Sequence, residues 1–175
     1  MTTRITALAI ALALGTAAPA LAQRTPGVTD SEITIGLTTP LSGPAAAWGS
    51  TAIAMEAWAK HVNSQGGVHG RKLKVSVKDD GYVPGRAVAN LTEMKDSVLM
   101  NVGLLGSAIL NAAKEFPHEN KFPVINPYGN PAIWAKLPRE RLRYVFVNYP
   151  DYLDEGEFLS PHGIRCNAIL PGYMD

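Results

Sequence analysis

The groups able to do acid–base or metal chemistry in this 175-residue chain are few and scattered. His61, His69, His118 and His162 show no spacing that would gather them around a metal. None stands beside a cysteine or carboxylate in a catalytic run, so all four read as surface histidines. Asp79 and Asp80 are adjacent carboxylates, yet a turn after a strand uses aspartates for its own hydrogen bonds. There is no G-x-S-x-G elbow and no phosphate loop ending in Gly-Lys-Ser/Thr. Gly103 and Gly106 in "GLLGSA" stand where a dinucleotide fingerprint would, but the three-glycine spacing is missing. No carboxylate follows about 20 residues on, where one should meet a ribose. What remains is Ser107 with the free amide groups of a helix start, a place suited to a small carboxylate. The expectation is binding without catalysis, with no cofactor and no metal.

Loops that bind need elements to carry them. "EITIGL" alternates, with Ile33, Ile35 and Leu37 on one face, and runs into the breaker-rich "TTPLSGPAAAWG", which predicts a strand delivering a loop. From Trp48 the apolar positions Ala52, Met55, Ala59 and Val62 recur at helical spacing until Gly66 and Gly67 stop the helix. "KLKVSVK" sets Leu73, Val75 and Val77 against Lys72, Lys74, Ser76 and Lys78, as a strand near a sheet edge does. Pro84 opens a helix whose inner stripe is Ala87, Val88, Leu91 and Met94. "SVLMNVGLLG" reads as a buried strand, and Ser107 as the cap of a short helix with Ile109, Ala112, Ala113 and Phe116 inward. "FPVIN" and "RYVFVNY" are further strands, separated by a loop with one helical turn, and another helix starts at about Pro150. This alternation predicts an α/β fold, an open parallel sheet covered by helices on both faces. Ligands bind such sheets beyond the carboxyl ends of the strands, which singles out "PLSGPAAAWG", "LGSA" and "NPYGN".

At the start, Arg4 precedes an uncharged run from Ile5 to Ala18, and Ala20-Leu21-Ala22 gives the small-x-small pattern of a cleavage site. Residues 1–22 are expected to be a signal peptide, which places the mature chain in the periplasm. The apolar run is shorter than the roughly 20 residues a membrane span needs. A net charge of +1, from 16 basic and 15 acidic residues interspersed, leaves no electrostatic footprint for nucleic acid or anionic membranes. The basic run Arg139 to Arg143 carries its own Glu140 and reads as a solvated connection. Cys166 is the one cysteine, so an exported chain would hold no internal disulfide.

"ITIGLTTPLSGPAAAWG", "EAWAKHVNSQGGVHGRKLKVSVKDDGYVPGRAVANL" and "VGLLGSAILNAAKEF" closely resemble the first lobe of periplasmic solute-binding proteins of the leucine/isoleucine/valine-binding type, which serve ABC importers. The resemblance runs from about Ser31 to Leu159, and its most specific piece is Asn-x-x-Gly-Gly-Val-x-Gly-Arg at Asn63 to Arg71. It implies one lobe, residues 23–159, of an incomplete type I periplasmic-binding-protein fold, in which two α/β lobes close on a ligand. Ligand contacts are implied at Trp48, Ser107, Ala108, Tyr128 and Asn130, with Ser107 and nearby backbone amides taking an amino acid's carboxylate and Trp48 forming part of an apolar wall. Trp48 could equally be a core aromatic at a helix start, and Ser107 a helix cap. Tyr128 and Asn130 depart from the small residues of a branched-chain site, so amides, aromatic acids and other small carboxylates stand beside leucine as ligands. The implied partners are a branched-chain amino acid or related small molecule and an ABC permease in the inner membrane.

The last stretch, "SPHGIRCNAILPGYMD" at residues 160–175, instead resembles a short-chain dehydrogenase segment in which the strand "IRCNAI" ends in a Pro-Gly loop beside the nicotinamide. It reads as an unrelated tail on a truncated lobe. The rival readings are a dehydrogenase-derived fusion that handles NAD(P), a non-functional gene fragment, and a lobe serving as a sensor or decoy. No tyrosine is followed four residues later by lysine, which argues against the dehydrogenase.

Overall fold

A computed structural model describes residues 25–135, 137–148, 152–159 and 161. The expected signal peptide, His162, Cys166 and the dehydrogenase-like tail apart from Pro161 lie outside the described residues.

The alternating residues of Glu32–Thr39 form β1, and those of Lys72–Asp79 form β2. They run parallel in continuous register from Glu32 opposite Lys72 to Thr39 opposite Asp79. Between them lies helix α1, Ser50–Ser64. Helix α2 follows at Pro84–Met94, with the proline in its first turn, where a missing amide costs nothing. Shorter pieces complete the alternation: β3 Asn101–Val102, α3 Ser107–Ala113, α4 Phe116–Asn120, β4 Val124–Ile125, α5 Ala132–Ala135, β5 Val145–Phe146 and α6 Tyr152–Leu159. The five-stranded sheet is parallel throughout and ordered β2-β1-β3-β4-β5, so β2 is the edge strand that its lysines predict.

Apolar side chains fill both faces. Ile33, Ile35 and Leu73 pack with Ala59 of α1 on one side. On the other, Ala87, Leu91 and Met94 of α2 join Ile109, Leu110 and Ala113 of α3, with Phe116, Val124 and Trp134. Leu91, Leu104, Ile109, Leu110 and Val124 are entirely buried, each stabilising the fold by about 1.5–3 kcal/mol.

The Asn63 to Arg71 run has a mechanical explanation. The Lys72 amide donates to the Ser31 carbonyl in the direction of β1, so the polar groups of Leu73 point to the open edge. Asn63 takes both of them: its Nδ2 donates to the Leu73 carbonyl at 2.8 Å, and its Oδ1 accepts the Leu73 amide at 2.7 Å. Gly67 has φ +74, a left-handed conformation, and its α-carbon faces the Arg71 carbonyl so closely that a Cβ would lie 2.2 Å from the oxygen. The motif therefore ends α1, reverses the chain and starts β2.

Several expectations are corrected. Trp48 lies in a 3-10 turn at Ala46–Gly49 ahead of α1 and is 59% exposed, so it is not a core aromatic. "SVLMNVGLLG" is not one long strand, because Ser97 still belongs to the turn after α2 and Gly103, at φ +80, bends the chain away. Its extended hydrogen bonding runs from the Leu99 amide, donating to Thr34, to the Gly103 amide, donating to Ile125. The cap of α3 is Gly106, at φ +103, and not Ser107, which is the first helical residue. Ala112 faces outward, and Leu110 lies inward beside Ile109 and Ala113.

Candidate functional site

In the strand order the winding reverses between β1 and β3: β2 lies on one side of β1, and β3, β4 and β5 follow on the other. Loops leaving the carboxyl ends of strands on either side of such a reversal diverge and leave a crevice. Here they are residues 40–49 after β1 and 103–106 after β3, flanked by 80–83 after β2 and 126–131 after β4. Leu41, Trp48, Tyr82 and Val83, all large and exposed, come from these loops, which gives this end of the sheet an apolar surface without a cover among the described residues.

Ser107 and Asn130 meet there. The Asn130 amide donates to Ser107 Oγ at 3.0 Å, and Asn130 Oδ1 accepts the Ala132 amide at 3.0 Å, opening α5. The Tyr128 amide donates to the Leu104 carbonyl, and the Gly106 amide to the Tyr128 carbonyl, each at 2.7 Å, so the two loops are zipped together past the end of the sheet. Gly129 permits that approach: a Cβ on it would lie 3.0 Å from the Ser107 nitrogen. The ring of Tyr128 lies against Gly103, where a Cβ would be 3.0 Å from Cε2. Asn126 Nδ2 donates to its hydroxyl at 3.2 Å. Ala108 follows in α3, exposed. Ser107, Ala108, Tyr128 and Asn130 thus form one group, and Trp48 stands apart from it on the loop after β1.

The adjacent aspartates divide their work. Asp79 Oδ1 accepts the amides of Leu41 at 2.8 Å, Ser42 at 3.3 Å and Gly81 at 2.8 Å, while Oδ2 accepts the Ser42 hydroxyl at 2.5 Å. Arg86 pairs with the same carboxylate at 3.3 Å. Asp79 therefore ties the β1 loop to the end of β2. The Ser42 hydroxyl above all, then the amides of Leu41, Gly81 and Ser42, hold its carboxyl well below the usual carboxylate range against a smaller upward push from burial. Asp80 is completely buried; it accepts the Thr38 hydroxyl at 2.9 Å and the Tyr82 amide at 2.8 Å. Burial pushes its carboxyl upward, the Tyr82 and Thr38 hydrogen bonds pull it back, and neighbouring Asp79 adds a further upward push.

These shifts have opposite consequences. A depressed carboxyl contributes stability that is present above about pH 4 and disappears as pH falls through its folded-state range. A raised one makes the fold less stable as pH rises above the unfolded value. Melting temperatures from pH 7 down to pH 2.5 are expected to fall less steeply for Asp79→Asn than for the wild type, the variant being less stable at pH 7. Parallel curves would contradict the tie.

Sequence reading missed Tyr82. Its signal was available: it is an aromatic in the loop at the carboxyl end of β2, where ligands of parallel sheets gather. Among the described residues no three His, Cys, Asp or Glu side chains group to hold a metal. His61 and His69 are exposed as expected, and His118 is half-buried in α4.

A family model described as periplasmic binding protein matches residues 32–156. A fatty acid ABC transporter substrate-binding protein from Thermomonospora curvata is 31% identical over 81% of this chain and 36% of its own, with a TM-score of 0.68. A periplasmic binding protein type 1 from Bordetella pertussis Tohama I is 26% identical over 75% of this chain and 38% of its own, TM-score 0.64. LivJ from Streptococcus pneumoniae, a branched-chain amino acid transporter substrate-binding protein in complex with isoleucine, shares the fold at 22% identity over 69% of this chain and 34% of its own, TM-score 0.59. Among curated proteins no sequence matches. The chain spans 34–38% of the length of these three structures.

Proposed function

The chain belongs to the periplasmic binding protein family, and from that premise we propose that it supplies one wall of a binding site for a small carboxylate, serving solute capture for an ABC importer. The observation that carries the reading is the meeting of Ser107 and Asn130 beside the crevice at the sheet's reversal point. The carboxylate lies against Ser107 and the amides that follow it, Ala108 included, with Tyr128 and Asn130 to one side and exposed Trp48 supplying apolar wall from the loop after β1. Support for a carboxylate comes from the relatives, since the isoleucine and fatty acids in their descriptions share a carboxylate beside an aliphatic chain.

The function is capture without catalysis. The lobe spans 23–159, exported to the periplasm by a cleaved leader at 1–22, and its partner is a permease of the inner membrane. A second lobe would cover the ligand's other face. Buried ligands lose about 70–90% of their surface to a complete pocket, so one wall alone covers about half.

Titration calorimetry of the exported chain against L-leucine, L-isoleucine, L-phenylalanine and octanoate, with leucinamide as the carboxylate-free control, tests this. At least one carboxylate should bind with a dissociation constant weaker than about 1 μM, and leucinamide should give no heat. No binding by any carboxylate would contradict the carboxylate reading. A constant tighter than about 1 μM would contradict the single wall.

A further inference from the structure

Tyr82 has features that the turn around it does not require. It is a non-glycine residue at φ +63, a left-handed conformation that is strained for an L-residue. Buried Asp80 holds it there through the Tyr82 amide, and Asp79 holds the preceding Gly81 amide. From that backbone the side chain reaches across to the loop after β3. Its outer edge lies over Gly106, where a Cβ would stand 2.5 Å from Cε2, 2.9 Å from Cζ and 2.8 Å from the hydroxyl. Only glycine admits the ring, and Gly106 directly precedes Ser107. The residue is 39% exposed and its hydroxyl makes no hydrogen bond among the described residues. Phenylalanine would make the same contact with Gly106, so packing does not account for the hydroxyl.

We propose that Tyr82 is a ligand-contacting, specificity-determining residue of this site. Its ring is the wall on the β2 side of Ser107, and its hydroxyl donates to the ligand's carboxylate. The inference rests on the carboxylate reading above. Strain kept at one residue, by a buried carboxylate that takes that residue's amide on one oxygen while the other accepts the Thr38 hydroxyl, places a hydrogen-bond donor where the ligand head group lies. The ring also sets the width of the crevice, so it discriminates among side chains of different bulk.

The test is calorimetry of the full chain with L-leucine and L-phenylalanine, comparing wild type, Tyr82→Phe and Tyr82→Ala, with melting temperatures measured alongside. Tyr82→Phe should weaken binding of both ligands on the order of ten-fold while leaving the melting temperature unchanged. Tyr82→Ala should weaken leucine further and shift the preference toward phenylalanine, because the space beside Ser107 widens. If the wild type binds and Tyr82→Phe matches it, the inference is overturned and the carboxylate reading stands. A lowered melting temperature in Tyr82→Phe at unchanged affinity would assign the hydroxyl to the fold and likewise overturn it. If the wild type binds neither these nor the other carboxylates, the carboxylate reading itself falls, and the inference with it.

Discussion

Trp134→Ala is expected to lower the unfolding free energy by about 3–5 kcal/mol, measured by urea denaturation. Trp134 is among the largest fully buried side chains, 1% exposed, and its indole nitrogen donates to the Lys114 carbonyl at 3.1 Å. Alanine there leaves a cavity among Ile109, Leu110 and Ala113, and strips that carbonyl of its partner. The damage reaches the site, because α5, which carries Trp134, begins two residues after Asn130. The carboxylate affinity proposed for the native chain should fall in the same variant. A loss below about 1 kcal/mol would mean that the loop after β4 is not anchored by this side chain.

Gly67→Ala is expected to cost about 2–5 kcal/mol in the same assay. The left-handed backbone alone penalises alanine by roughly 1–2 kcal/mol, and the new Cβ would meet the Arg71 carbonyl oxygen, which no rotamer change can move. Gly70 makes an internal control. It has φ +78 but open space around the missing Cβ, so Gly70→Ala should cost only the conformational part, about 1–2 kcal/mol. Equal losses at the two positions would show that the reversal between α1 and β2 yields, and that the Asn63 to Arg71 run does not fix the start of the edge strand as described.

The elements most legible in the sequence are those whose pattern is local. β1 and β2 announce themselves because each alternates over eight residues, and the lysines of β2 mark the edge. Pro84 and the stripe Ala87, Leu91 and Met94 define α2 for the same reason. Where the outcome depends on distant neighbours, the sequence misleads. Ser107 has the composition of a cap, yet its hydroxyl is taken by the Asn130 amide, 23 residues away, and the left-handed Gly106 starts the helix instead. Ile109 and Ala113 are buried as their spacing implies, while Leu110 and not Ala112 completes the inner face of the helix.

Trp134 looked like part of a loop because its helical turn is too short to show a period. Its burial is decided by α3 and α4. Trp48 has the size and spacing of a core residue, but the 3-10 turn at Ala46–Gly49 breaks the phase of α1 and leaves it in solvent. The candidate site was legible by position alone: the rule that ligands gather beyond the carboxyl ends of parallel strands selects the loops after β1, β3 and β4 without reference to a motif. Tyr82 escaped because its meaning lies in a glycine on another strand's loop, 24 residues on.

The most direct measurement is the amide spectrum of the 15N-labelled chain, recorded while L-leucine, and then octanoate, is added. If this lobe binds a carboxylate where Ser107 meets Asn130, the amides of Ser107, Ala108, Tyr128 and Asn130 shift together and saturably, and Val28 and His69, at the amino end of the sheet, stay in place. A spectrum unchanged by both ligands, or shifts confined to the amino end, would contradict it.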